Sequence, residues 1–176
     1  DELSQSKKNY HRKRVIFLSR DPRDVILSNY YHMTYRAKIN NLEKEEFIRQ
    51  YFPGIIRFYN IWASSDVEKQ LLVRYEDLQK NAHGELIRVL DFIRPELSGL
   101  VSSVIDESIE YCSMENMARY ETENKFNSTV LSNPQGGHAA KVRKGKVGGF
   151  RAELSLELQN WCDREMQALN HGYGYC

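Results

Sequence analysis

Residues 12–32 read RKRVIFLSRDPRDVILSNYYH, in which a basic run, a short apolar stretch, an Arg-Asp-Pro turn and a helix-forming segment follow one another. From Arg14 to Arg20 the residues are almost continuously apolar and partly β-branched, the pattern of a central strand covered on both faces in a parallel sheet. Asp21 can cap a helix whose first position, Pro22, needs no backbone donor. Ile26, Tyr30, Met33 and Ala37 then fall on one helical face. The turn joins strand directly to helix and leaves Arg20 at the carboxyl end of the strand, where open parallel sheets place their ligands. Ser28 follows in the second helical turn with a hydroxyl to donate, and the Arg20 guanidinium is a planar fork matched to phosphate or carboxylate oxygens. Together they suit a phosphate.

Beyond this segment, LEKEEFIRQYF predicts a second helix that Pro53-Gly54 kinks or splits before IIRFYNIWAS resumes it. QLLVRYEDL at 70–78 is the second strand; Glu76 and Asp77 point to opposite faces of an extended segment, so they read as capping or structural pairing rather than a carboxylate pair. ELIRVLDFI is a short helix with Leu86, Val89, Leu90 and Ile93 inward, and a further helix is expected over 97–108. Residues 132–150, SNPQGGHAAKVRKGKVGGF, hold no sustained period and read as a long loop of the kind that carries function. A last helix starts near Ser155, carries Leu158, Trp161, Cys162, Glu165, Met166 and Leu169, and stops by Gly172. The succession of elements predicts an α/β domain, a single one over residues 1–176, with a parallel sheet flanked by helices. Only two strands are evident, and two parallel strands alone leave edges and backbone groups unpaired, so further strands are expected before Asp1.

Composition excludes several classes. The 25 Lys and Arg residues nearly balance 24 Asp and Glu, a net charge of +1, which argues against a nucleic-acid binder. Lys7-Lys8 and Arg12-Lys13-Arg14 read as a solvated flank. Cys112, Cys162 and Cys176 have neither the paired spacing of a zinc site nor the even count of a disulfide framework, so no metal is expected. No apolar run approaches the roughly 18 residues that span a bilayer, and the first ten residues lack a signal peptide's apolar core. His32 reads as a packed or hydrogen-bonded histidine, and Trp62 and Trp161 as core. Asp21 and Asp24 read as capping residues that pair with nearby arginines.

Within the long loop, Arg143-Lys144-Gly145 sets two cations beside a residue with no Cβ, so backbone amides there can approach an anion closely. With these residues added, the pattern becomes specific. SRDPRDVILSNYYH resembles the sulfotransferase segment R-[DN]-P-x-D-x-x-x-S-x-Y-x-H, which grips the 3′-phosphate of the donor 3′-phosphoadenosine 5′-phosphosulfate (PAPS). LLVRYEDLQKN resembles that family's second strand and its Y-E-D-L sequence, CSMENM its T-S-F-x-x-M, and VRKGKVGGF with the helix after it the terminal R-K-G-x-x-G-x-W block. The four blocks occur in family order across Val15 to Tyr175.

The resemblance implies a P-loop-NTPase-like sheet of sulfotransferase type, with Arg20, Ser28, Arg143, Lys144 and Gly145 on the 3′-phosphate. Tyr75, Cys112 and Met114 would line the base. Met114 replaces the common adenine-stacking Phe with a softer sulfur contact, Cys112 replaces Thr, and Phe150 replaces Trp. Nothing between Asp1 and Arg14 matches the family's P-K-[ST]-G-[ST]-[ST]-W loop or the catalytic residue that precedes the Arg-bearing strand, and His11 lies too close to Arg20 to be assigned as base. The implied activity is transfer of a sulfuryl group from PAPS to a hydroxyl or amine of a small-molecule, lipid or glycan acceptor, leaving PAP, the desulfated nucleotide. A noncatalytic PAPS- or PAP-binding protein is the alternative. The compartment implied is the cytoplasm, or the lumen if an anchor precedes the chain.

Overall fold

The computed structural model describes residues 6–97, 102–128, 137–140 and 145–175. Strand β1 (Arg14–Ser19) pairs in parallel with β2 (Lys69–Arg74), Arg14 opposite Lys69 and Ser19 opposite Arg74. Between them run α1 (Pro22–Tyr31) and α2 (Lys44–Ala63), and α3 (Tyr75–Lys80) leaves the end of β2 with no intervening loop. Then come α4 (Ala82–Ile93), α5 (Ser102–Tyr111), α6 (Met114–Thr122), the single turn α7 (Phe150–Glu153) and α8 (Leu156–Met166). The architecture is α/β, a parallel sheet flanked by helices.

Local chemistry accounts for the first crossover. Asp21 caps α1 by accepting from the Arg23 amide at 2.9 Å, with Pro22 at the position that needs no donor. Ile26 and Tyr30 are buried as the apolar spacing requires. Ala37 is exposed instead, because the chain widens to a π turn over His32–Arg36, with the Ala37 amide reaching back to the His32 carbonyl at 2.8 Å. That turn shifts the helical phase, and His32 itself is exposed rather than packed.

Pro53 neither splits nor ends α2, which runs unbroken from Lys44 to Ala63. Proline costs a helix one hydrogen bond and a steric clash. Here Phe47, Ile48, Phe52, Ile56 and Tyr59 are buried on both sides of it and hold the helix in place. The C-terminal helix α8 packs against α2 through Leu158, Cys162 and Met166, with Trp62 and Trp161 partly buried against the same core. Phe17 of β1 closes this core, its ring 5.4 Å from Tyr59 and 5.5 Å from Tyr173.

The sheet differs from expectation on its other face. Ile16 is 38% and Leu18 61% exposed, and among the described residues β1 pairs only with β2. The α4 face is also looser than its pattern suggests: none of its residues is buried and Ile93 is 43% exposed. The expected helix over 97–108 is observed from Ser102 to Tyr111. Among the described residues, no helix is long and apolar enough to cross a membrane.

Candidate functional site

Arg20 leaves β1 at its carboxyl end, and its guanidinium lies 4.6 Å above the Tyr75 ring, the first residue of α3. Parallel pairing explains the meeting, because both strands finish at the same edge and hand their next residue to the same place. The Tyr75 hydroxyl donates to the Gly145 carbonyl at 2.9 Å. Gly145 has φ +56°, and a Cβ there would collide with the thioether end of Met114. Only glycine both adopts this backbone comfortably and leaves room for that methionine. Arg20, Tyr75, Met114 and Gly145 therefore form one cluster from four separate stretches of sequence.

The guanidinium is held along one edge. Its Nη2 donates to the Lys146 carbonyl at 3.1 Å and lies 3.5 Å from Asp24 Oδ2. Its Nε is buried with no hydrogen-bond partner among the described residues. A buried donor without a partner is costly in a finished structure and fits a site shaped for an acceptor. Stacking on Tyr75 restricts the remaining freedom of the fork and contributes about 0.5–2 kcal/mol.

Asp24 does more than pair with an arginine. It is 3% exposed, and its two oxygens accept from the Gly148 amide at 2.8 Å and the Phe150 amide at 3.0 Å. The end of the Gly-rich segment is thus tied to α1, the helix that begins beside Arg20. Next to it Arg23 grips Asp21 through Nε at 2.9 Å and Nη2 at 2.6 Å, and reaches Asp163 through Nη1 at 2.6 Å. Burial opposes the Arg23 charge, but Asp21 and Asp163 more than offset it and raise its pKa.

The remaining sequence candidates divide. Ser28 is exposed on α1, and Cys112 is exposed in the turn between α5 and α6, two residues before Met114. Arg143 and Lys144 lie outside the described residues. Glu76 and Asp77 sit in the first turn of α3, not on an extended segment. His11 is engaged by the Asp66 carbonyl at 2.6 Å and by Glu68 at 3.2 Å. A separate cleft of about 470 Å³ between α2 and α8, walled by Ile56, Arg57, Asn60 and Glu165, includes none of the cluster.

The sulfotransferase domain family matches residues 3–174. The chain is a member of the sulfotransferase family. It is 27% identical over 168 residues to an amine sulfotransferase of Oryctolagus cuniculus, covering 89% of this chain and 54% of that protein. A flavonol sulfotransferase-like protein of Flaveria bidentis is 27% identical over 177 residues, covering 92% of this chain and 55% of its own length. A crystal structure of retinol dehydratase in complex with retinol and PAP superposes with a TM-score of 0.69 at 22% identity, over 88% of this chain and 46% of that one. The chain therefore spans about half the length of the sulfotransferases it matches, and it shares their fold.

Cys162 is excluded as a nucleophile in this sulfotransferase chain. It is fully buried, and burial, aided by the Asp163 charge, pushes its thiol up to about 12 from an ordinary 9.0. The unfolded chain releases that proton first, so the stability it contributes is complete below pH 9.0 and is lost as the pH rises towards about 12. Iodoacetamide in mildly alkaline buffer is expected to modify exposed Cys112 and leave Cys162 unlabelled until the chain is denatured, as read by peptide mass spectrometry. Labelling of both residues at equal rates in the native state would contradict this.

Proposed function

We propose that this chain is the 3′-phosphate-binding part of a PAPS-dependent sulfotransferase that moves a sulfuryl group to a hydroxyl or amine. The observation that carries the reading is the meeting of the Arg20 guanidinium, the Tyr75 ring and the Gly145 backbone at one point, with the Arg20 Nε buried and unpartnered among the described residues. A nucleotide with a phosphate on its ribose offers an acceptor for the fork and a base to lie beside Tyr75 and Met114. Each charge-assisted hydrogen bond there contributes roughly 1.5–3 kcal/mol. Ser28, Arg143 and Lys144 are assigned to the same phosphate by their place in the family pattern, and Cys112 with Met114 to the base.

The donor supplies an activated sulfuryl group. The residues of this chain bind and orient its nucleotide: Arg20 by charge and geometry, Tyr75 by stacking under Arg20 and fixing Gly145, Asp24 by holding the loop end against α1. Selectivity over nucleotides without a 3′-phosphate follows from the same contacts. The acceptor is proposed to be a small molecule, in line with the amine and flavonol names carried by the relatives.

Calorimetric titration of the full chain with PAP and with AMP, which lacks the 3′-phosphate, tests the site. Tighter binding of PAP by at least tenfold is expected, and equal affinities would sink the assignment. Labelled-sulfate transfer from PAPS to panels of phenols, alcohols and amines then separates an enzyme from a noncatalytic binder, which would take PAP without turnover.

A further inference from the structure

The turn that presents Arg20 is built on side chains from far along the sequence. Tyr59 of α2 brackets the Arg20 backbone: its hydroxyl donates to the Arg20 carbonyl at 2.9 Å and accepts from the Arg20 amide at 3.2 Å. The next amide, of Asp21, donates to Glu76 Oε1 at 2.9 Å. Glu76 Oε2 accepts from the Tyr175 hydroxyl at 2.7 Å, and the Ser19 hydroxyl lies 3.0 Å from the same Tyr175 oxygen. Tyr175 has one proton, and the carboxylate takes it. Ser19 must therefore donate to Tyr175, giving the ordered chain Ser19 to Tyr175 to Glu76 with the Asp21 amide closing it.

Every member is out of water. Ser19 is 0%, Glu76 7%, Tyr175 9% and Asp21 9% exposed. Arg74 at the end of β2 holds the tail in place, its guanidinium 4.6 Å over the Tyr175 ring and its Nη2 donating to the Gly174 carbonyl at 3.1 Å. Gly174, at φ +67°, turns the backbone so that Tyr173 is also buried, its hydroxyl donating to the Tyr59 carbonyl at 2.7 Å. The two tail tyrosines thus support the two devices, Tyr59 and Glu76, that hold the backbone on either side of the Arg20 side chain. Burial raises the pKa of both phenols, so both remain donors beyond the ordinary tyrosine range.

We propose that Tyr175 is a positioning residue for Arg20: by fixing the Glu76 carboxylate under the Asp21 amide, it holds the guanidinium where a ribose 3′-phosphate is recognised. This rests on the reading of Arg20 as a 3′-phosphate ligand. A fork that must meet phosphate oxygens is sensitive to displacements well under an ångström, and on this reading the turn serves the 3′-phosphate, which AMP lacks.

The test is Tyr175→Phe in the full chain, which keeps the ring and its stack on Arg74 and removes only the hydroxyl. PAP affinity is expected to fall roughly tenfold while AMP affinity stays within about twofold. Glu76→Gln keeps an oxygen for the Asp21 amide but weakens the tie to Tyr175, so it is expected to reduce the preference for PAP over AMP in the same direction and serves if Tyr175→Phe folds poorly. Unchanged PAP affinity in both variants, or an equal fall for PAP and AMP, overturns the proposal. A wild-type chain that does not distinguish PAP from AMP overturns the Arg20 reading itself, and this inference with it.

Discussion

Arg20→Ala is expected to weaken PAP binding by about a hundredfold and to leave AMP binding nearly unchanged. The side chain is one-quarter exposed, and its contacts among the described residues are one carbonyl at 3.1 Å, one carboxylate at 3.5 Å and a ring at 4.6 Å, so its removal costs the fold little. Loss of two charge-assisted hydrogen bonds to a phosphate costs roughly 3 kcal/mol, which is more than two powers of ten in affinity. Arg20→Lys separates charge from geometry. An ammonium keeps the attraction but has no planar fork and stacks less well on Tyr75, so a loss of about tenfold is expected. Calorimetry with both nucleotides measures each quantity, and Arg20→Ala binding PAP within threefold of wild type would remove Arg20 from the site.

What the sequence makes legible here is local. Asp21 and Pro22 announce the start of α1 because cap and first-turn chemistry is decided by adjacent residues, and the apolar run of β1 is continuous enough to read as a strand. The four members of the cluster could be named because they sit in ordered motifs, and the structure brings Arg20, Tyr75, Met114 and Gly145 together. Pro53 misleads because its cost to α2 is local while the gain from burying Phe52 and Ile56 is tertiary. Tyr75–Lys80 follows an apolar strand without a break, so the strand reading runs on over it although Glu76 and Asp77 in the first turn and Lys80 in the last suit a helix.

The residues missed altogether, Tyr59 and Tyr175, and the partners of Glu76 meet groups 39, 55, 99 and 156 positions away, which no period or motif encodes. Asp24 left a readable sign. It falls three before Leu27 and seven before Tyr31, on the buried stripe of α1, where a carboxylate is retained only if donors converge on it.

That convergence makes Asp24 the position where a single change should cost the fold most. Asp24→Ala strips the acceptors from the Gly148 and Phe150 amides and leaves the Arg20 guanidinium without its counter-charge. Each abandoned buried donor costs about 1–3 kcal/mol, and the pair with the one-quarter-exposed Arg20 adds little to that. Two such donors are abandoned, so a destabilisation of about 3–5 kcal/mol is expected in the denaturant midpoint, with a parallel loss of PAP affinity as Gly148 and Phe150, just after Gly145, lose their tie to α1. Asp24→Asn retains one acceptor oxygen but gives up the charge that the first turn of α1 favours, and should fall about halfway between. Because Arg20 and Asp24 share one contact, their effects are not independent. In the Asp24→Ala background, Arg20→Ala should cost less stability than in wild type, since it removes a cation that has already lost its partner. Additive losses across that cycle, or an Asp24→Ala protein within about 1 kcal/mol of wild type, would show that the loop end is held by something other than this carboxylate.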